Sequence, residues 1–248
     1  MNSGKASIAP SLENPPGWGA DPLSAFMETA RENTLATFVN LPATYRLLAE
    51  VDSVYRLLLD NLFNTPEWAS AFFLLRAHCS YLAAVRFAMS GQVAESYMPL
   101  RGCLEAALYG LHISRNPPAG DIWARRHEDE TCRTKVRNEF TTANVFASLA
   151  AADGALATVS RALYERTIDY GAHPNERSFF SNMLKTREDG NIQFKLIYLA
   201  EDSPALHLAL KTTAQSGLCA FEILATVFRI RVTALGIHHR LSALKRGL

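Results

Sequence analysis

Apolar residues recur at spacings of three and four along most of the chain, a period that predicts helices rather than strands. The clearest case is Tyr45, Leu47, Leu48, Val51, Val54, Tyr55, Leu58, Leu59 and Leu62, one face of a helix that restarts the chain after Leu41-Pro42. Ahead of it, Asp21-Pro22 reads as an N-cap and a proline at the first helical position, where the missing N–H costs nothing. The helix it opens runs to about residue 40. Thr65-Pro66 repeats the device, and residues 66–90 behind it are apolar on nearly every side, the pattern of a buried central helix closed by Gly91.

Residues 92–114 predict another mainly apolar helix, bent at Pro99 and ended by Asn116-Pro117-Pro118. Residues 129–152 read as one helix whose Asp129/Arg133 and Glu130/Arg137 placings mark a solvated face. Asp153-Gly154 turns the chain into a helix over 155–170 with Leu156, Val159, Leu163, Tyr164 and Ile168 inward. Strand character is confined to one stretch, where the alternation Ile192, Phe194, Leu196, Tyr198 after Asp189-Gly190 predicts a small β-hairpin near 183–198. Ser203-Pro204 caps a long helix to about residue 233, and a short helix covers 235–245. The expected fold is all-α, one helical domain over 21–248 with about eight helices packed around residues 66–90. Residues 1–20 form a flexible arm whose end Trp18 pins to the body.

Composition narrows this picture. With 48% apolar and 20% charged residues among 248, the chain can bury a real core, which excludes disorder over most of its length. A formal net charge of +1 leaves no global excess for holding a polyanion, so any nucleic-acid contact must be local. Cys79, Cys103, Cys132 and Cys219 are far apart and read as small buried apolar residues of a reducing compartment. The first residues hold no apolar signal core, and Arg76, His78, Arg86 and Glu222 interrupt the most apolar segments. A cytoplasmic protein without a membrane span is the expectation. His238-His239 has no cysteine or carboxylate ligands nearby, and no nucleotide-binding or serine-hydrolase motif is present, so neither metal nor cofactor is expected.

Candidate chemistry sits where charges enter apolar helices. Arg76, Arg86, Arg101, Glu105 and Glu222 each need a partner if buried. Arg101 and Glu105 stand one turn apart, with His112 further along the same face. Two readings stay open: an internal ion-pair network that fixes helix register, or a polar pocket that binds or processes a ligand. Trp123 and Arg126 lie in the short segment that follows. The densest stretch is residues 164–176, YERTIDYGAHPNE, where Arg166, Asp169 and Tyr170 occupy successive turns and Gly171 suits a helix C-cap. Pro174 disfavours helical geometry at His173, so the imidazole is expected on a loop beside a helix end. Asn175 and Glu176 add hydrogen-bonding groups there, or Asn175 simply caps the next short helix. The C-terminal RIRVTALGIHHRLSALKRGL holds five cations and no acid, suited to phosphates, to an acidic partner, or to helix C-termini.

The spacing of Arg166 and His173, R-x6-H, resembles the signature of the HEPN superfamily, helical-bundle proteins of bacterial toxin–antitoxin and phage-defence systems. RGCLEAALYG followed by a late Tyr and His-Pro step is also similar to uncharacterised bacterial helical families. The resemblance implies metal-independent RNA cleavage or RNA binding, often across a homodimer, with His173 as general acid/base and Arg166 stabilising charge on the phosphorane. Arg101, Glu105 and Arg126 would support that pair. The alternative is a non-enzymatic helical interaction or structural protein with a buried ion-pair network.

Overall fold

The Asp21 carboxylate accepts hydrogen bonds from the backbone N–H of Leu23 and Ser24 at 2.9 and 3.1 Å. With Pro22 at its first position it opens α1 (Pro22–Asn40) as the sequence predicts. The computed structural model describes residues 14–174, 176–180, 182–188 and 191–248. Trp18 donates from Nε1 to Glu28 at 3.0 Å, so the arm's end is tied to α1, while residues 1–13 of the expected arm lie outside the described residues.

Next come α2 (Pro42–Leu59), α3 (Trp68–Met89), α4 (Val93–Arg115), α5 (Pro117–Ala124), α6 (Glu130–Glu139), α7 (Thr142–Ala152) and α8 (Gly154–Thr167). One π-helical turn (Ile168–Ala172), a short α9 (Glu176–Phe180) and the hairpin β1 (Met183–Glu188) and β2 (Asn191–Leu196) follow. The chain ends in α10 (Pro204–Val227), α11 (Arg229–Ala234) and α12 (Ile237–Arg246). The fold is predominantly all-α with twelve α-helices among the described residues, more than the eight expected. The strands pair antiparallel from Met183 opposite Leu196 to Glu188 opposite Asn191, and the Asp189-Gly190 turn falls outside the described residues.

Two expected helices are divided. Residues 129–152 break at Phe140 because the Thr141 side chain accepts the Asn144 N–H at 3.2 Å and starts α7 afresh. The long C-terminal helix breaks at Phe228, whose ring is buried, and α11 then sends Arg231 to the main-chain oxygens of Asn61 and Phe63.

The centre of the fold also differs from expectation. Helices α3 and α4 form an antiparallel pair joined at Gly91, whose positive φ of 85° closes α3 and whose carbonyl accepts the Ala200 N–H at 2.8 Å. Helix α10 packs on both and is buried over most of its surface, through Leu210, Thr213, Ala214, Gly217, Leu218, Ala220, Phe221 and Leu224, with His207, Lys211 and Thr226 exposed. It, rather than α3, is the central helix. Gly217 permits the approach: a Cβ there would overlap the Tyr81 ring and lie 3.2 Å from Val51. Its carbonyl accepts the Tyr55 hydroxyl at 2.8 Å, which ties α2 to α10. Helix α3 buries Phe73, Leu74, Ala77, Tyr81 and Ala84, yet leaves Trp68, Phe72, Leu75, Cys79 and Leu82 exposed. An all-round apolar pattern cannot separate a core helix from one with an uncovered apolar face, and Cys79 departs from the buried role expected of it. Among the described residues no helix is long and apolar enough to cross a membrane.

Candidate functional site

Apart from Glu222, the charges inside apolar helices are less buried than their sequence setting implies. Arg76 and Arg86 are exposed, and the Arg101 and Glu105 side chains retain 31% and 42% of their exposure. These two pair along α4, Arg101 Nε donating to Glu105 at 2.8 Å, which the i, i+4 spacing predicts. The Tyr164 hydroxyl on α8 donates to the same carboxylate at 2.9 Å, and the Arg101 guanidinium lies 5.3 Å from the centre of the Tyr164 ring. Burial first, then the Glu105 charge, push the Tyr164 hydroxyl above its ordinary value. His112 does not join them. It bonds instead to Ser148 at 2.7 Å and Glu139 at 3.0 Å, and Asn116 donates to the same Glu139 oxygen at 2.8 Å. This second, separate cluster holds α4 to α6 and α7.

The Arg101 helix does face the His173 segment. Tyr170 stacks on Tyr97 of α4 with ring centres 5.6 Å apart. Gly171 lies so close to Ala94 that an added Cβ would overlap its carbonyl oxygen and stand 2.9 and 3.1 Å from its carbonyl carbon and Cα. The π-helical turn is thus moulded on α4, a geometry that recurs where a helix is adapted to a site. Beyond it His173 is extended (φ −144°, ψ 140°) and exposed, its Nδ1 3.3 Å from the Pro174 carbonyl oxygen. Asp169 accepts from Arg177 at 2.9 Å, Glu176 is exposed at the start of α9, and Asn175 lies outside the described residues.

Arg166 points elsewhere. Its Nη1 donates to Gln215 Oε1 at 2.9 Å and reaches Thr212 Oγ1 at 3.4 Å, both on α10. Half-buried, it forms the polar end of a cavity of about 470 Å³ between α8, α10 and α12. Leu156, Val159, Leu163 and Leu218 supply the apolar wall. Val159, expected inward, is 53% exposed because it faces this opening. At the far end Glu222 pairs with Lys245, and burial raises the Glu222 carboxyl above its ordinary value despite that ammonium. Burial also pushes the lining Cys219 thiol up to about 12, which keeps it protonated at neutral pH. Among the described residues Arg166 makes no ion pair.

Trp123 and Arg126 lie beyond Tyr109 of α4, whose hydroxyl feels both the Glu105 and the Arg126 charge. Trp123 meets Phe73 edge-on at 5.1 Å, and Arg126 follows it on the α5 side, so neither shares a wall with Arg166 or His173. Of the C-terminal cations, Arg231, Arg240 and Lys245 are engaged by Asn61 and Phe63, by Glu50, and by Glu222. Among the described residues no three His, Cys, Asp or Glu side chains are grouped to hold a metal ion. Gln215, Glu222 and Lys245 were not expected at one site, because the α8–α10–α12 contact that gathers them has no local signal. No protein-family model, curated protein or solved structure matches the chain.

Proposed function

We propose that this chain is a non-enzymatic helical binding protein whose cleft between α8 and α10 takes a small amphipathic carboxylate. The observation that carries the reading is Arg166: a half-buried guanidinium at the end of an apolar cavity, hydrogen-bonded to uncharged Gln215 and Thr212 and to no carboxylate among the described residues. A guanidinium fork in low dielectric favours a planar anion, and a cavity of 470 Å³ is within the size of small-molecule sites. From Gln215 to Glu222 is two helical turns, roughly 10 Å, which sets the length of apolar body the wall accommodates.

Calorimetry with decanoate, against decanol as the uncharged control, tests this. Decanoate should bind more tightly than decanol by tenfold or more, on the order of a charged hydrogen bond. Arg166→Leu should erase the difference while leaving decanol binding in place. Equal binding of both probes by the native chain, or no binding of either, refutes the reading.

The ribonuclease reading needs Arg166 and His173 to meet on one phosphate. Weighing against their meeting within one chain, Arg166 is hydrogen-bonded to α10 while His173 is exposed on the far side of the π-helical turn. RNA incubated with the purified protein and EDTA should stay intact. Cleavage that disappears in His173→Ala would restore that reading.

A further inference from the structure

The outer face of α3 carries Trp68, Phe72, Leu75, Cys79, Leu82 and Arg86, all exposed. Their spacings are four, three, four, three and four, the seam of a coiled coil, on the side of α3 opposite its core residues. Trp68 is 65% exposed and Phe72 60%. Isolated exposed apolar residues are ordinary, but a continuous seam over five helical turns is not.

We infer that a second copy of this chain covers this face, its α3 running antiparallel to the first about a twofold axis beside Ala77. The seam is complementary to itself in that register. Trp68 of one copy meets Arg86 of the other, Phe72 meets Leu82, and Leu75 meets Cys79. Each pair sets a large side chain against a smaller one or an indole against a cation, the complementarity that an isologous contact requires. The geometry beside the seam suits the two aromatic residues. A groove of about 710 Å³ runs between α1 and α3, lined by Phe26, Met27 and Leu35 on one side and by Leu82, Arg86 and Phe87 on the other. It opens where the partner's Trp68 and Phe72 arrive.

The exposed halves of Trp68, Phe72, Leu75, Leu82, Met27 and Leu35 amount to on the order of 500 Å² per copy, taking roughly 150–200 Å² for a large side chain. With a polar rim, that approaches the ~800 Å² per partner of a stable interface. Arg76, exposed on the flank, comes near its own counterpart, so added salt should tighten the dimer by screening that repulsion.

Light scattering on the native chain at micromolar concentration should give twice the monomer mass. Among the described residues Cys79 is the one exposed cysteine. In the proposed register its two copies lie roughly 10–12 Å apart, given the rise per residue and the usual spacing of packed helices. A short bis-maleimide should therefore cross-link the dimer. The register itself is read from F72C/L82C in a C79S background. These positions are about 15 Å apart on one helix, too far for a bond within a chain, so mild oxidation should yield covalent dimers with position 72 of one copy joined to position 82 of the other. Leu75→Glu should be monomeric with an unchanged circular dichroism spectrum and a melting temperature that, unlike the native chain's, does not rise with protein concentration. A native monomer overturns the proposal, whether its α3 face then takes up a lipid surface or another protein. So does a folded Leu75→Glu dimer, or thiols that link 72 to 72.

Discussion

Replacing Gly171 by alanine tests whether the π-helical turn is held by its fit against α4. The added methyl would overlap the Ala94 carbonyl oxygen and press on the carbon atoms behind it. Those atoms belong to the first turn of α4, so they cannot rotate away as a side chain would. The turn must instead retreat by roughly 1 Å, which loosens the stacking of Tyr170 on Tyr97. Overpacking of this kind costs about 1–3 kcal/mol. For a chain of this length the melting temperature should fall by roughly 2–10 °C. Gly154→Ala supplies the contrast, since nothing lies within 4 Å of a Cβ there and the residue opens α8. It should leave stability unchanged or raise it by up to about 1 kcal/mol, because alanine favours the helix. Thermal melts give the magnitudes, and hydrogen exchange over 168–174 gives the location, with protection lost in Gly171→Ala alone. Equal melts and equal exchange for the two variants would refute the fit.

Glu105→Ala should cost no more than about 1 kcal/mol in urea unfolding, because the Arg101 and Glu105 side chains keep 31% and 42% of their exposure and the ion pair is solvent-screened. A loss of several kcal/mol would show that the pair is buried in solution. Glu222 governs a pH dependence of definite sign. Its raised value means that the folded chain keeps the proton to higher pH than the unfolded chain, so stability declines as pH rises from the usual 4.5 through the raised value. Glu222→Gln should remove that slope, its unfolding free energy matching the native profile at low pH and exceeding it above. Parallel profiles from pH 4 to 8, on the order of the range where such a group titrates, would contradict this.

Local chemistry was legible and long-range assembly was not. The helix starts at Asp21-Pro22 and Ser203-Pro204 stand where cap and proline place them, with the Ser203 hydroxyl accepting from Leu206 at 3.3 Å. The break before α7 also had a signal, Thr141, a residue suited to an N-cap inside the stretch that reads as one helix. The break at Phe228 had none, because it comes from distant contacts of α11. Arg101 with Glu105 follows from spacing alone, whereas His112 finds Glu139 and Ser148, 27 and 36 residues away. Likewise Arg166 was singled out for a spacing to His173, but its surroundings are set by α10, which brings Gln215 from 49 residues away. The hardest distinction was between α3 and α10. Both are long and mainly apolar, and only their packing shows that α10 is covered over most of its surface while α3 keeps an apolar face outside.

That enclosure also orders the way the chain gathers itself. Helices α3 and α4 are neighbours in sequence and meet across a single tight corner, so their contact closes a short loop and forms rapidly. Helix α10 reaches the same surface only after about ninety intervening residues, and non-local contacts of that kind form late because chain entropy must be lost before they stabilise anything. The helical pair therefore waits, with an apolar groove open to water, for the segment that completes it. Until α10 arrives, the groove and the outer seam of α3 are exposed together, and the last helix to dock covers the first of these and leaves the second open.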